Sequence, residues 1–193
     1  MPKKVFFLGI DLPEAIKPSL ALLLPKKTRG VRPVRPENLH ITLHYLGKQD
    51  QSAVEAAVES CLSLLSLSSF ELVLKGLGHF GQTSKPSVLW QGVESCSGLL
   101  ALHQQLLPVA NRLGVESDHH EYQPHITLAR CCWKQALTES DRRSLTSFYQ
   151  QQQTAINFEV KAFMLFESRL GSVGREYPIV STFDLKNSSS YSE

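Results

Sequence analysis

The tetrapeptide His-Ile-Thr-Leu occurs twice in this chain, at His40 to Leu43 and again at His125 to Leu128. With seven His and eight Thr in 193 residues, about 0.3 His-x-Thr triplets are expected by chance, and a second full copy of a given tetrapeptide about once in a thousand such chains. Each copy alternates polar and apolar residues, the pattern of a strand with one buried face. His40 and Thr42 then share a face, about 7 Å apart, while Ile41 and Leu43 anchor the other, and His125, Thr127, Ile126 and Leu128 repeat the arrangement. An approximate two-fold relating the copies sets both polar pairs across one cleft.

The surrounding pattern is duplicated as well. Val5 to Ile10 reads as a buried strand, and Asp11-Leu12-Pro13-Glu14 as a helix start, with Pro18 disturbing that helix or confining it to one turn. Lys26 to Pro36 reads as a loop whose Lys26, Lys27, Arg29, Arg32 and Arg35 have no acid among them, a solvated segment able to guide a polyanion. Leu39 to Leu46 is a strand, and Ala53, Val54, Ala57, Val58, Cys61, Leu62 and Leu65 recur at helical spacing. Phe70 to Leu77 and Ser87 to Val93 read as strands that form a hairpin or cross between lobes, with Gly76, Gly78, Gly81 and Pro86 breaking the chain between them. Leu99, Leu102, Leu106, Val109 and Leu113 give a helix ended by Gly114, and Pro124 to Cys131 a strand. Asp141 to Gln152 follows as a helix, and Ile156 to Phe166 and Glu176 to Leu185 as closing strands. The order βαβαβ, then βαβαββ, describes an α+β domain over residues 1–186, with a polar, frayed tail from Asn187 to Glu193.

Two imidazoles facing each other across a cleft suit displacement at phosphorus. One takes a proton from the nucleophile while the other gives one to the leaving oxygen. The threonine hydroxyls hold nonbridging oxygens, and no metal is required. His44 lies two residues beyond Thr42 on the same alternating face, so His40 and His44 also read as two metal ligands, but Ala129 stands at the equivalent place in the second copy. Arg130 is a phosphate or RNA contact only if the strand bulges or ends, since alternation turns it away from His125. Phe6, Phe7, Tyr45 and Tyr122 read first as core, and as base-stacking surfaces otherwise. His119 and His120, beside Asp118 and Glu121, read as a loop, and His79 and His103 carry no pattern.

Twenty basic against eighteen acidic residues exclude binding of nucleic acid through bulk charge, so any such contact is local. The apolar run Val5 to Ile10 is shorter than a signal-peptide core, and no stretch approaches the roughly 18 to 20 apolar residues needed to span a bilayer. Cys61, Cys96, Cys131 and Cys132 contain no Cys-x-x-Cys pair and read as reduced thiols in a cytosolic protein.

Set as NLHITLHYLG and PHITLAR, the two motifs resemble those of the 2H phosphoesterase superfamily. The opening FFLGIDLPE, the GLGHFG segment and the closing LFESRLGSVGREY make the chain most similar to its bacterial RNA 2',3'-cyclic phosphodiesterases, also called 2'-5' RNA ligases. Pro18 and the loop inserts depart from that pattern. The resemblance implies duplicated βαβαβ halves forming two lobes, with antiparallel sheets lining a central cleft. It implies His40 as proton donor to the departing ribose 3'-oxygen and His125 as proton acceptor from the attacking water, with Thr42, Thr127 and Arg130 on the phosphate. The substrates it implies are RNA with a 2',3'-cyclic phosphate end, tRNA fragments among them, and small cyclic nucleotides. It implies no cofactor, no metal and no membrane, and a cytoplasmic monomer; an RNA 5'-hydroxyl in place of water gives ATP-independent 2'-5' ligation. Two other readings stand beside it: a nucleotide- or RNA-binding module without turnover, and a metallohydrolase built on His40 and His44.

Overall fold

Both tetrapeptides form strands, and the strands meet. The computed structural model describes residues 2–24, 28–62, 65–116, 121–133, 136–151, 154–172 and 174–186. Strand β3 (His40–Gln49) and strand β6 (His125–Cys131) are antiparallel neighbours at the middle of a ten-stranded sheet, joined through the single pair Ile41 opposite Ile126. That register sets His40 across from Thr127 and Thr42 across from His125, with all four on the face that the isoleucines leave free. Beyond the shared pair the two strands part, and a short strand β2 (Val31–Pro33) takes over the edge of β6. The groove between the motifs opens where they separate.

The remaining strands repeat about this centre. β1 (Lys4–Asp11) flanks β3, and β5 (Lys85–Val93) flanks β6; outside them lie β8 (Ala162–Gly171) and β4 (Phe70–Gln82), then β10 (Ile179–Asp184) and β7 (Ile156–Val160). The strand that ends the first half, β4, is thus exchanged into the second half's sheet, and β8 into the first. A small strand β9 (Gly174–Glu176) pairs with β8. Only Lys161 separates β7 from β8, although they belong to opposite ends of the sheet, so the sheet curls until those ends come together. There the Leu185 N–H donates to the Lys161 carbonyl and the Ser69 N–H to the Lys186 carbonyl, at 2.7 and 2.8 Å.

Helices cover the apolar face. Helix α2 (Gln51–Leu62) buries Val54, Ala57, Val58 and Cys61, and α3 (Ser97–Arg112) buries Leu99, Leu102, Leu106 and Val109, packing against β3, β4 and α2. Gly114, at φ +68°, ends α3 in the left-handed conformation that glycine adopts without strain. Helix α4 (Glu139–Tyr149) starts on a reciprocal cap between Thr138 and Asp141. None of the described helices is long and apolar enough to cross a membrane.

The α+β class, the antiparallel pairing and the duplication match the expectation, and several local readings do not. The segment Lys26 to Pro36, read as a loop, contains β2, which pairs with β6, and the closing strand read from Glu176 starts at Ile179 as β10. The first helix, α1 (Lys17–Ala21), begins after Glu14 instead of at Pro13, and Pro18 sits in its opening turn, where the missing N–H costs nothing. Gly76, Gly78 and Gly81 do not break the chain; β4 runs through them with register shifts, while its pairing with β5 is the hairpin of the two expected arrangements. Gly78 is required there because the Trp90 ring lies over it where a Cβ would sit. The single strand expected from Ile156 to Phe166 is two, because β7 pairs with β4 and β8 with β1. The tail after Lys186 lies outside the described residues.

Ile41 and Ile126 are fully buried, and their contact is what holds the motif strands in register. Ile126→Ala should destabilise the protein by about 2–5 kcal/mol, read as a lower urea midpoint at unchanged slope.

Candidate active site

One extra residue in each motif strand decides what faces the cleft. Between β1 and β3 the register steps from Gly9 opposite Thr42 to Leu8 opposite His44, so Leu43 is the extra residue. Between β5 and β6 it steps from Trp90 opposite Thr127 to Leu89 opposite Ala129, so Leu128 is the extra residue at the matching place. Each bulge reverses the alternation that follows it. Arg130 therefore joins His125 and Thr127 in the cleft, and Tyr45, its counterpart, joins His40 and Thr42. The same bulge carries His44 to the opposite face, where its Nε2 lies 2.7 Å from the His103 carbonyl on α3 and the two rings stack at 4.3 Å. His44 is thus engaged with His103 and does not line the cavity that holds His40, which removes the geometry for a shared metal. Among the described residues no three His, Cys, Asp or Glu side chains form a metal-holding group.

The two catalytic candidates are held identically. His40 Nδ1 lies 2.7 Å from the Asn38 carbonyl, and His125 Nδ1 lies 2.8 Å from the Gln123 carbonyl, each two residues upstream. A carbonyl only accepts, so Nδ1 carries the proton in both rings and Nε2 is left as the basic nitrogen presented to the cavity. The rings are packed differently. Phe7, Phe166 and Tyr177 surround His40 at 4.7, 5.6 and 5.0 Å, whereas Phe80 and Trp90 stand 4.8 and 6.4 Å from His125. Burial pushes His40 down to about 4, against the Asn38 carbonyl and Asp11, which raise it, and together with His125 and Arg130. Burial also lowers His125, opposed by the Gln123 carbonyl and assisted by Arg130.

The cleft is a cavity of about 690 Å³ that brings together His40, Thr42, His125, Thr127 and Arg130. Every site residue expected from sequence is present. Asn38, Arg175 and Tyr177 are further residues of the same cavity that sequence reasoning missed. The buried Asn38 side chain donates to the Arg175 carbonyl at 2.8 Å and accepts from the Tyr177 N–H at 3.2 Å, while its own carbonyl holds His40. Asn38 precedes the first motif by two residues in NLHITL, but its partners lie far along the chain, and no local pattern announces them. Of the four aromatic residues weighed, Phe6 is core and Phe7 packs on His40. Tyr45 is 61% exposed at the cleft, contrary to the core expectation, because the bulge turns it outward. Tyr122 stacks on His103 at 3.9 Å and donates its hydroxyl to the Thr42 carbonyl at 3.0 Å. Asp118, His119 and His120 lie outside the described residues.

Residues 16–171 match the model of the 2'-5' RNA ligase superfamily. The chain is 35% identical to the RNA 2',3'-cyclic phosphodiesterase of Escherichia coli K12 over 67% of its own length and 72% of that protein. It is 32% identical to the protein of the same name from Thermotoga maritima, over 64% and 68% of the two chains. Against that of Archaeoglobus fulgidus it is 28% identical over 92% and 98%. The fold is similar to the crystal structure of E. coli LigT complexed with 3'-AMP, with a TM-score of 0.73 at 24% identity over 95% of this chain and 98% of that one. It is also similar to a solved protein of Thermus thermophilus, with a TM-score of 0.74 at 23% identity over 95% and 99%.

Asn38→Ala should leave the His40 hydrogen bond to the backbone intact yet loosen Arg175 and Tyr177, lowering turnover roughly tenfold while the fold survives, checked by steady-state kinetics beside circular dichroism. A second expectation concerns stability. His40 and His103 are each held down to about 4 from an ordinary 6.5, and His44 and His125 are lowered too, so the unfolded chain binds protons that the folded one refuses. The stability tied to these neutral rings is fully present above about 6.5 and lost as pH falls toward about 4, which urea midpoints across that window should trace.

Proposed function

We propose the activity from one premise: the chain belongs to the 2'-5' RNA ligase superfamily. It hydrolyses the 2',3'-cyclic phosphate at RNA ends to a 2'-phosphate, without a metal or other cofactor. The observation that carries this is the matched pair of imidazoles, each fixed through Nδ1–H on a backbone carbonyl, with both Nε2 atoms on one cavity that also holds Thr42, Thr127 and Arg130. Water attacks phosphorus and gives its proton to His125 Nε2 as the bond to the ribose 3'-oxygen breaks. His40 supplies the proton that this oxygen takes up. The threonine hydroxyls and Arg130 hold the nonbridging oxygens and oppose the charge that grows on them. An RNA 5'-hydroxyl in the place of water gives a 2'-5' linkage by the same steps, and the cyclic ester supplies the driving force without ATP. We take residues 1–186 as one domain acting as a monomer in the cytoplasm, with tRNA fragments among its substrates.

The electrostatics add a condition. Burial among aromatic residues opposes the proton that His40 must carry to act as the acid, and burial opposes a charge on His125 as well. A bound anionic phosphate draws a proton toward either ring, and the Asp11 carboxylate favours it on His40.

His40→Ala and His125→Ala should each lower turnover of a 2',3'-cyclic nucleotide by about 100-fold or more. With a p-nitrophenyl diester, whose leaving group needs no proton, the His40→Ala loss should shrink to about tenfold while the His125→Ala loss persists; equal losses would refute the division of roles. The pH profile of kcat/KM should be a bell with its maximum on the acid side of 6.5, since one proton must be on the pair and both rings are lowered from that value. Rates should be unaffected by EDTA, and binding without product formation would favour the module that lacks turnover.

A further inference from the structure

Strand β2 lays Arg32 directly across from Arg130. Directly opposed residues of an antiparallel ladder project to the same face, so the bulge at Leu128 that turns Arg130 into the cleft has Arg32 facing the same way. Like charges in cross-strand contact destabilise a sheet, and neither guanidinium has a carboxylate partner among the described residues. Packing gives no reason for the pair, whereas a polyanion that sets successive phosphates on the two side chains does.

The same face continues past the pair. Gly30 and Cys132 are the next residues on it, linked by the Cys132 N–H donating to the Gly30 carbonyl at 2.7 Å. With Arg29, Arg32, Trp133 and Asp141 they line a second cavity of about 430 Å³. The indole N–H of Trp133 is engaged by the Pro86 carbonyl at 2.6 Å, and the half-buried ring packs against Gly30 and the core where it lines the cavity, with no donor left to offer. The Asp141 carboxylate is occupied by the Thr138 hydroxyl and N–H at the start of α4, and Arg29, 65% exposed, lies 3.9 Å from it. Thr127 to Cys132 spans on the order of 15 Å of strand, room for about three nucleotides. A further cavity beside His125 has Glu116 and Glu121 in its lining and no lysine or arginine, so guanidinium groups favour a polyanion on the β2 side.

We propose that the face formed by Arg130, Arg32, Arg29 and Trp133 is a binding track for the single-stranded body of the RNA. With Arg130 on the reacting phosphate, the nucleotides upstream of the cyclic end pass their phosphates over Arg32 and Arg29 and stack an unpaired base on Trp133. The chemistry at the RNA end rests on the proposed function, but the track does not. It uses Arg29 and Arg32 from the basic segment seen in the sequence; Lys26 and Lys27 lie outside the described residues.

The test is the Arg29→Ala/Arg32→Ala double variant, whose two side chains are exposed. Two quantities are read: the ratio of kcat/KM for an octanucleotide ending in a 2',3'-cyclic phosphate to that for a cyclic mononucleotide, and the Kd of the same octanucleotide ending in a 3'-phosphate between about 50 and 200 mM salt. The ratio should fall about tenfold, and the slope of log Kd against log salt should flatten by about 1.4, or about 0.7 for each phosphate left without its arginine. Trp133→Leu should weaken the octanucleotide where Trp133→Phe does not. An unchanged ratio and slope would overturn the track, and so would an equal loss on both substrates, which would place Arg32 in the cleft itself. A wild-type protein that binds the octanucleotide with the steep slope but turns over neither substrate would defeat the hydrolase reading and leave the track standing.

Discussion

The site exists because Ile41 and Ile126 meet across the middle of the sheet. Both side chains are excluded from water, and in an antiparallel ladder that one pairing fixes the relation of every neighbouring residue. A slip of one residue would turn the imidazoles into the helices and the isoleucines into the cleft. β1 and β8 beside β3, and β5 and β4 beside β6, are arranged two-fold about that pairing. The groove opens beside it, because the strands share a single residue pair before they part.

Duplication supplies two equivalent halves, yet acid–base chemistry needs two unequal groups. The difference comes from what packs around each ring. His40 sits among Phe7, Phe166 and Tyr177 with Asp11 directly across the ladder on β1, and Lys17 anchors that carboxylate at 3.0 Å. Burial opposes the charge on Lys17, but its hydrogen bonds to Glu14 and Asp11 outweigh this and raise it, so the ammonium holds the Asp11 side chain in place. His125 has fewer rings around it and Arg130 on its own strand. Identical residues on identical strands therefore differ in how readily they take a proton. The cleft is asymmetric in its exits as well, with carboxylates beyond one motif and guanidinium groups beyond the other.

The pattern of the motifs carried the strands, their faces and the pairing of His40 with Thr42 and His125 with Thr127, because alternation is a local property and both copies obey it. Helices α2 and α3 were legible for the same reason, from apolar residues at helical spacing. Alternation failed where a bulge interrupted it: His44 and Arg130 each sit on the face opposite to a plain count, and Tyr45 is in the cleft instead of the core. A bulge is set by the partner strand, here by Gly9 opposite Thr42 and Trp90 opposite Thr127, and no residue within the motif marks it. The split of β7 from β8 and the continuity of β4 through its glycines were hidden likewise, since both depend on which distant strand offers its edge.

By itself the sequence determined that two copies of one polar dyad lie on strands of a duplicated α+β chain, and that their chemistry suits phosphoryl displacement. Only the tertiary structure decided that the dyads share a cavity, that Arg130 enters it and His44 leaves it, and that Asn38 ties His40 to Arg175 and Tyr177. The reason is one of range. Side-chain direction along a strand is set by the nearest few residues, whereas register, bulges and burial are set by contacts between segments tens to hundreds of positions apart, which no local pattern encodes.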